Sequence, residues 1–112
     1  MDIQEREELT HLGDIGLKAC AIRLHTARLM TGMKQADLAI AAGVKKTTYN
    51  NMETGVSYPS RKVMRYYFRV HNIDFNFLMH GEFSHYPPSV QDQIFQNAKI
   101  ATSEWDQRHN SN

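Results

Sequence analysis

The stretch from Lys34 to Pro59, KQADLAIAAGVKKTTYNNMETGVSYP, constrains the fold most, because two short helical patterns flank a glycine within it. In the first, from Gln35 to Ala42, Leu38, Ala39 and Ala42 recur at the three- and four-residue spacings that share one helix face. Gly43 then ends the pattern. Glycine reaches the left-handed backbone region without a Cβ clash, so it closes a helix and turns the chain sharply. Val44 can plug that turn. In the second pattern, from Lys46 to Thr54, Tyr49 and Met52 fall on one side and Lys46, Thr47, Asn50, Asn51 and Thr54 gather opposite.

A chain of 112 residues holds one modest core, or a smaller domain with an appended arm. Its 41% hydrophobic and 22% charged composition contains no apolar run near the roughly 18–20 residues that span a bilayer. The start, MDIQEREELT, is acidic and lacks the apolar stretch of a secretory signal, so a cytoplasmic protein with no membrane partner is expected. A lone cysteine, Cys20, excludes an intramolecular disulfide and reads as a small buried hydrophobe. The net charge of +1 conceals an asymmetry. Residues 1–14 carry one Arg against five acids, residues 15–82 carry ten Lys and Arg against four acids, and residues 83–112 carry two against three. The positive charge therefore lies in the segment that holds the paired helices, as a phosphate-binding surface requires.

Capping and periodicity divide the chain into an acidic N-terminal arm (1–14), a central helical domain (15–82), and a hinge with a C-terminal helix (83–112). Asp14 is expected to cap a helix running to Thr31, with Gly32 closing it. Leu17, Cys20, Leu24 and Ala27 form its core stripe. A second stripe, Ile15, Ile22 and Leu29, recurs on roughly the opposite side and needs a cover. Ser60 is expected to cap a helix to His71, with apolar mass from Val63, Met64, Tyr67, Phe68 and Val70. Asp74 caps a short helix that buries Phe77 and Leu78 and ends at Gly81. After a hinge from Phe83 to Pro88, Ser89 with Asp92 reads as a capping box opening a helix of about 17 residues. Its stripe is Val90, Ile94, Ala98, Ala101 and Trp105. This stripe and that of Ile15, Ile22 and Leu29 can cover each other within one chain, form a dimer surface, or bind another protein. Ile3, Leu9 and Leu12 compete for the same surface, and the final HNSN is expected to fray.

Gln35, Leu38-Ala39, Gly43-Val44, Glu53, Gly55 and Pro59-Ser60 fall in a pattern that resembles the phage repressor and Cro-like (XRE-type) helix-turn-helix family. The likeness extends from about Gly16 to Glu82, through Arg28, Gly32-Met33, Ile73, Leu78 and Gly81. It implies an all-α, five-helix repressor-like DNA-binding domain, here with an additional C-terminal amphipathic helix. It also implies base contacts from Lys46, Thr47 and Asn51, with Asn50 a fourth candidate. Gln35 would hold a phosphate, and Arg28 and Glu53 would form a structural ion pair. The chain departs from the family where Lys34 and Lys45 replace the Ser or Thr caps of the two helices, which weakens each cap by ~1 kcal/mol.

These side chains suit the task. The major groove admits an α-helix, Lys matches guanine acceptors, Asn matches adenine's donor and acceptor, and a Thr methyl packs on a thymine methyl. Lys34, Lys45, Arg61 and Lys62 sit at helix starts, where cations beside free N–H groups can neutralise phosphates. Six histidines invite a metal, but His80 and His85 straddle the Gly81 turn without a cysteine or third ligand, so no metal or other cofactor is expected. No phosphate loop, nucleophile elbow or paired catalytic carboxylates point to an enzyme. The expected function is a transcriptional regulator, a repressor, binding a double-stranded inverted-repeat operator as a homodimer. Two symmetric copies supply the specificity one short helix lacks. The alternatives are an antitoxin-type autoregulator with a protein partner, or an interaction module that kept the fold without DNA binding.

Overall fold

Capping residues and left-handed positions divide the chain into seven helices in the computed structural model, which describes residues 1–110. They are α1 (Ile3–Thr10), α2 (Leu17–Thr31), α3 (Gln35–Ala42), α4 (Lys46–Glu53), α5 (Arg61–His71), α6 (Phe75–His80) and α7 (Pro88–Asn110). The described residues contain no strand, so the fold is all-α, as the sequence pattern implied. Ser60 and Asp74 cap α5 and α6 by accepting the N–H groups of Val63 and Phe77. Lys34 and Lys45 stand at the N-cap positions of α3 and α4 and make no side-chain capping bond. Gly32, Gly43 and Gly81 close α2, α3 and α6 in the left-handed conformation.

Several boundaries differ from expectation. The acidic start is helical, because the Asp2 carboxylate accepts the Glu5 N–H at 2.8 Å and opens α1. Only Leu9 and Thr10 turn firmly inward along it, too few to leave a period in the sequence. Asp14 does not cap α2. Its Oδ1 accepts the Gly16 N–H at 2.8 Å in a local turn, and Gly16 takes the N-cap position. The last helix opens at Pro88, whose fixed φ and missing N–H suit a first helical position. Ser89 therefore lies inside the first turn, and the helix is 23 residues long. Ser111 and Asn112, part of the expected frayed end, lie outside the described residues.

Leu24, Ala27, Leu38, Ala39, Tyr49, Met52, Val63, Tyr67, Phe77 and Leu78 pack into one core, so α2 to α6 share a single interior. Three expected core residues are exposed. Leu17, the first residue of its helix, is 39% exposed, and Phe68 and Val70 lie on the outer side of α5. Ile94 and Phe95 of α7 enter the same core, while Ala101 and Trp105 form a second cluster with Ala21 and Ile22, edged by Leu29. The C-terminal helix thus lies along α2 of its own chain, with α1 packed beside it. Val90 is half-buried and Ala98 buried along that contact, whereas Ile15 remains 55% exposed outside it.

His25 fastens this docking from the α2 side. Its ring is buried, with Nε2 3.1 Å from the Glu104 carboxylate of α7 and a buried Nδ1 that has no partner. Burial lowers its pKa from the ordinary 6.5, and the charges nearby oppose one another. Burial likewise lowers the pKa of His11 and His71. The unfolded chain therefore takes up protons first as pH falls below about 6.5, so this stability is intact above that pH and is lost on acidification. The urea midpoint should drop between about pH 7.5 and about pH 5.5, and His25→Gln should shrink the drop; an unchanged drop would remove His25 from the account.

Arg23, two residues before His25 on α2, was not singled out by any sequence pattern. It is 1% exposed. Its guanidinium donates to Leu78 O at 3.0 Å, Thr10 O at 3.0 Å, His11 O at 2.9 Å, Asp14 O at 2.6 Å and Met79 O at 2.8 Å. These carbonyls belong to the C-terminal ends of α1 and α6 and the loop before α2, where helix carbonyls lack internal partners and the helix dipole is negative. Gly81 makes the convergence possible, since a Cβ there would stand 2.6 Å from Thr10 O. Arg23→Ala should lower unfolding free energy in urea by about 3–5 kcal/mol, the range for stranding buried polar partners. Arg23→Lys should recover little, because three ammonium donors cannot serve five carbonyls.

Candidate nucleic-acid interface

The outer face of α4 follows from what its inner face must bury. Tyr49, Met52 and Glu53 point into the molecule, so Lys46, Thr47, Asn50 and Asn51 are left exposed together, with Thr48 beside them. The side chains of these five residues make no hydrogen bond or ion pair among the described residues, so their donors and acceptors are free. Thr54 is different: its hydroxyl turns back to Asn50 O at 2.9 Å and finishes the helix.

The inner face is polar at its end. Glu53 is 1% exposed, and its carboxylate accepts from Arg28 Nε at 2.7 Å, Arg28 Nη2 at 3.1 Å and Gln35 Nε2 at 3.1 Å. Arg28 Nη1 also donates to Met33 O at 3.1 Å. Burial alone would lower the Arg28 pKa, but the bonds to Glu53 outweigh it and the net shift is upward. This cluster ties the end of α2, the first residue of α3 and the last residue of α4, which fixes the angle between the paired helices. Close by, the Tyr49 and Tyr67 hydroxyls share a buried hydrogen bond at 2.6 Å between α4 and α5. Burial raises both pKa values, so both phenols stay protonated.

Gln35, expected at a phosphate, has an internal partner as well. Its amide is committed to Glu53, which leaves one amide proton and the free N–H groups of the α3 start to meet an anion. Lys34, Lys45, Arg61 and Lys62 are all exposed. Lys62 reaches over the turn, its Nζ 3.2 Å from where a Cβ on Gly43 would sit, so the start of α5 is brought beside the turn that closes α3. The cations thus stand at the α3 start, at the turn before α4 and at the α5 start. Among the described residues, no cluster of His, Cys, Asp or Glu is arranged to hold a metal ion, and no helix is long and apolar enough to cross a membrane.

The C-terminal helix reaches this assembly as well. A Cβ on Gly55, just past α4, would stand 2.9 Å from Cη2 of Trp105, so only the bare glycine lets the indole lie against the loop. Trp105 stacks in turn on His109. Sequence reasoning paired these stripes without showing that the contact ends on the α4–α5 loop, because Gly55 has no side chain to announce it.

Residues 24–78 match a family described as helix-turn-helix. No curated protein and no solved structure matches the chain. The matched segment starts at Leu24 and ends at Leu78, so it takes in the ion pair, both paired helices and the cationic residues around them. Glu53→Ala should cost about 3–5 kcal/mol in urea unfolding by stranding the largely buried Arg28 charge. Arg28→Lys should cost less, since it keeps the charge and loses the two-pronged bond; equal losses would argue against that geometry.

Proposed function

As a member of the repressor and Cro-like (XRE-type) helix-turn-helix family of DNA-binding transcription regulators, to which residues 24–78 assign it, the chain is, we propose, a repressor that binds an inverted-repeat operator as a homodimer. The observation that carries this reading is the outer face of α4, where Lys46, Thr47, Asn50 and Asn51 are exposed and unengaged; Lys34, Lys45, Arg61 and Lys62 are exposed at the starts of α3, α4 and α5. In this reading α4 enters the major groove and those four side chains meet base edges. The cations and the α3 N-terminus hold phosphates on either side, which sets register without selecting sequence.

Two features weigh against the alternatives. A module that had lost DNA binding would have no reason to keep an unengaged basic face, and fold alone does not decide between them. The helix that an antitoxin reading would give to a toxin is α7, and it is packed on α2 of its own chain. The same docking changes where self-association is to be sought, because removing α7 would uncover the core before it tested an interface. The regulator acts in the cytoplasm, on the DNA itself.

Genomic DNA selection with the purified protein tests the reading: an enriched inverted repeat supports it, and no enrichment overturns it. On the selected site, Asn51→Ala or Lys46→Ala should relax discrimination at one base position by about 1–3 kcal/mol in binding titrations. Arg61→Ala or Lys34→Ala should weaken all sequences together and reduce the salt slope by about one unit each. A changed base preference with an intact slope would contradict the phosphate role.

A further inference from the structure

Asn51 sits in the last turn of α4, and the chain beyond it closes that turn. The helix has eight residues, too few to hold its own ends in water, and its final carbonyls have no partner inside it. Asn51 O is one of these. It accepts the N–H groups of Val56 at 2.9 Å and Ser57 at 3.2 Å, and the Thr54 hydroxyl at 3.4 Å. The chain returns to it at Gly55, whose φ of 78° lies in the left-handed region. The Asn51 side chain makes no bond of its own among the described residues, so its position follows its main chain.

The returning loop packs little by itself. Val56 and Tyr58 are 68% and 50% exposed, and Ser57 is open to water. Gly55 is met instead by Trp105 of α7, since a Cβ there would stand 2.9 Å from Cη2 and 3.5 Å from Cζ3 of the indole. Trp105 is held in turn from several sides. It is buried against Ala21 and Ile22, it stacks on His109 with ring centroids 4.0 Å apart, and it follows Glu104, whose carboxylate meets His25. An indole so constrained is a fixed stop for the loop. α7 begins after residue 78, so this stop lies outside the matched helix-turn-helix segment.

We propose that Trp105 is a positioning residue for base readout: by fixing Gly55 it fixes the two N–H groups that hold Asn51 O, and so aims the Asn51 side chain. The inference rests on the reading above, in which α4 enters the major groove, and gives a part in it to a helix beyond the family segment. An amide that pairs with a base edge needs donor and acceptor aligned, and hydrogen bonds weaken steeply off line. A small displacement of the last turn therefore costs discrimination at one base position. Lys46 and Thr47 stand in the first turn, away from the loop, and keep their contacts.

Binding titrations of the full chain on its selected site, and on that site changed at each base position, test this with Trp105→Leu, Gly55→Ala, Asn51→Ala and the double variant Trp105→Leu/Asn51→Ala. Leucine keeps an apolar contact with Ala21 and Ile22 but is too short to reach Gly55, and a methyl on Gly55 displaces the indole from the other side. Circular dichroism and thermal unfolding check that each variant is folded; if Trp105→Leu or Gly55→Ala is not, the other decides. Each should lose about fivefold or more of the discrimination at the position that Asn51→Ala relaxes. The salt slope and the preferences at other positions should stay as in wild type. In the Asn51→Ala background, Trp105→Leu should cost nothing further at that position, because the two residues act through one contact. Full discrimination in the folded variants, a loss that adds to that of Asn51→Ala, or a uniform loss for all sequences overturns the proposal and leaves the DNA-binding reading standing. No effect of Asn51→Ala at any position overturns both the base-reading role of Asn51 and the proposal.

Discussion

One buried carboxylate holds the helix-turn-helix together. Glu53 ends α4 inside the protein, and a lone charge there would be costly, so it must be met by donors from the elements around it. Arg28 meets it from α2 and Gln35 from α3. The three residues come from three different helices, so the geometry of the pair is set by side chains that cannot move independently. Everything on the outer face of α4 inherits its direction from this inner contact and from the Tyr49–Tyr67 bond beside it.

Arg23 does comparable work at the far side of α2. It gathers the carbonyl ends of α1 and α6, which would otherwise be unpaired helix ends close to the core. The same helix therefore carries two arginines with different main partners: Arg28 meets a carboxylate, and Arg23 meets five backbone carbonyls and the Cys20 sulfur. The planar fork of donors makes both arrangements possible, and a lysine would satisfy neither fully. On the same helix, Ile22 and His25 receive α7, whose Trp105 lies against Gly55. A substitution at Trp105 is thus felt, through packing, at the loop that leaves α4.

Much of this was legible before the structure. Gly43, Gly32, Gly81, Ser60 and Asp74 announce helix ends because their chemistry is local: a left-handed glycine or a capping oxygen acts within a few residues of itself. The exposed set on α4 follows from the same logic, since burying Tyr49 and Met52 fixes which residues face out. Signals that depend on distant partners were misread or silent. Phe68 and Val70 looked like core but face outward, and the bond from Gln35 to a carboxylate 18 residues away was not announced; Asp14, whose partner is local, was misread only in which of two nearby uses it serves. Arg23 gave no signal because its partners are main-chain carbonyls, which every residue possesses.

The sequence by itself determined an all-helical chain, the paired helices around Gly43, the polar face of α4 and the basic charge that surrounds it, because periodicity, capping and composition are properties of neighbouring residues. Only the tertiary structure decided that α7 lies on α2 of its own chain, that Arg23 joins α1 to α6, and that Trp105 lies against Gly55. Each of those depends on which surfaces meet across tens of residues, and apolar stripes specify that a face must be covered without specifying by what.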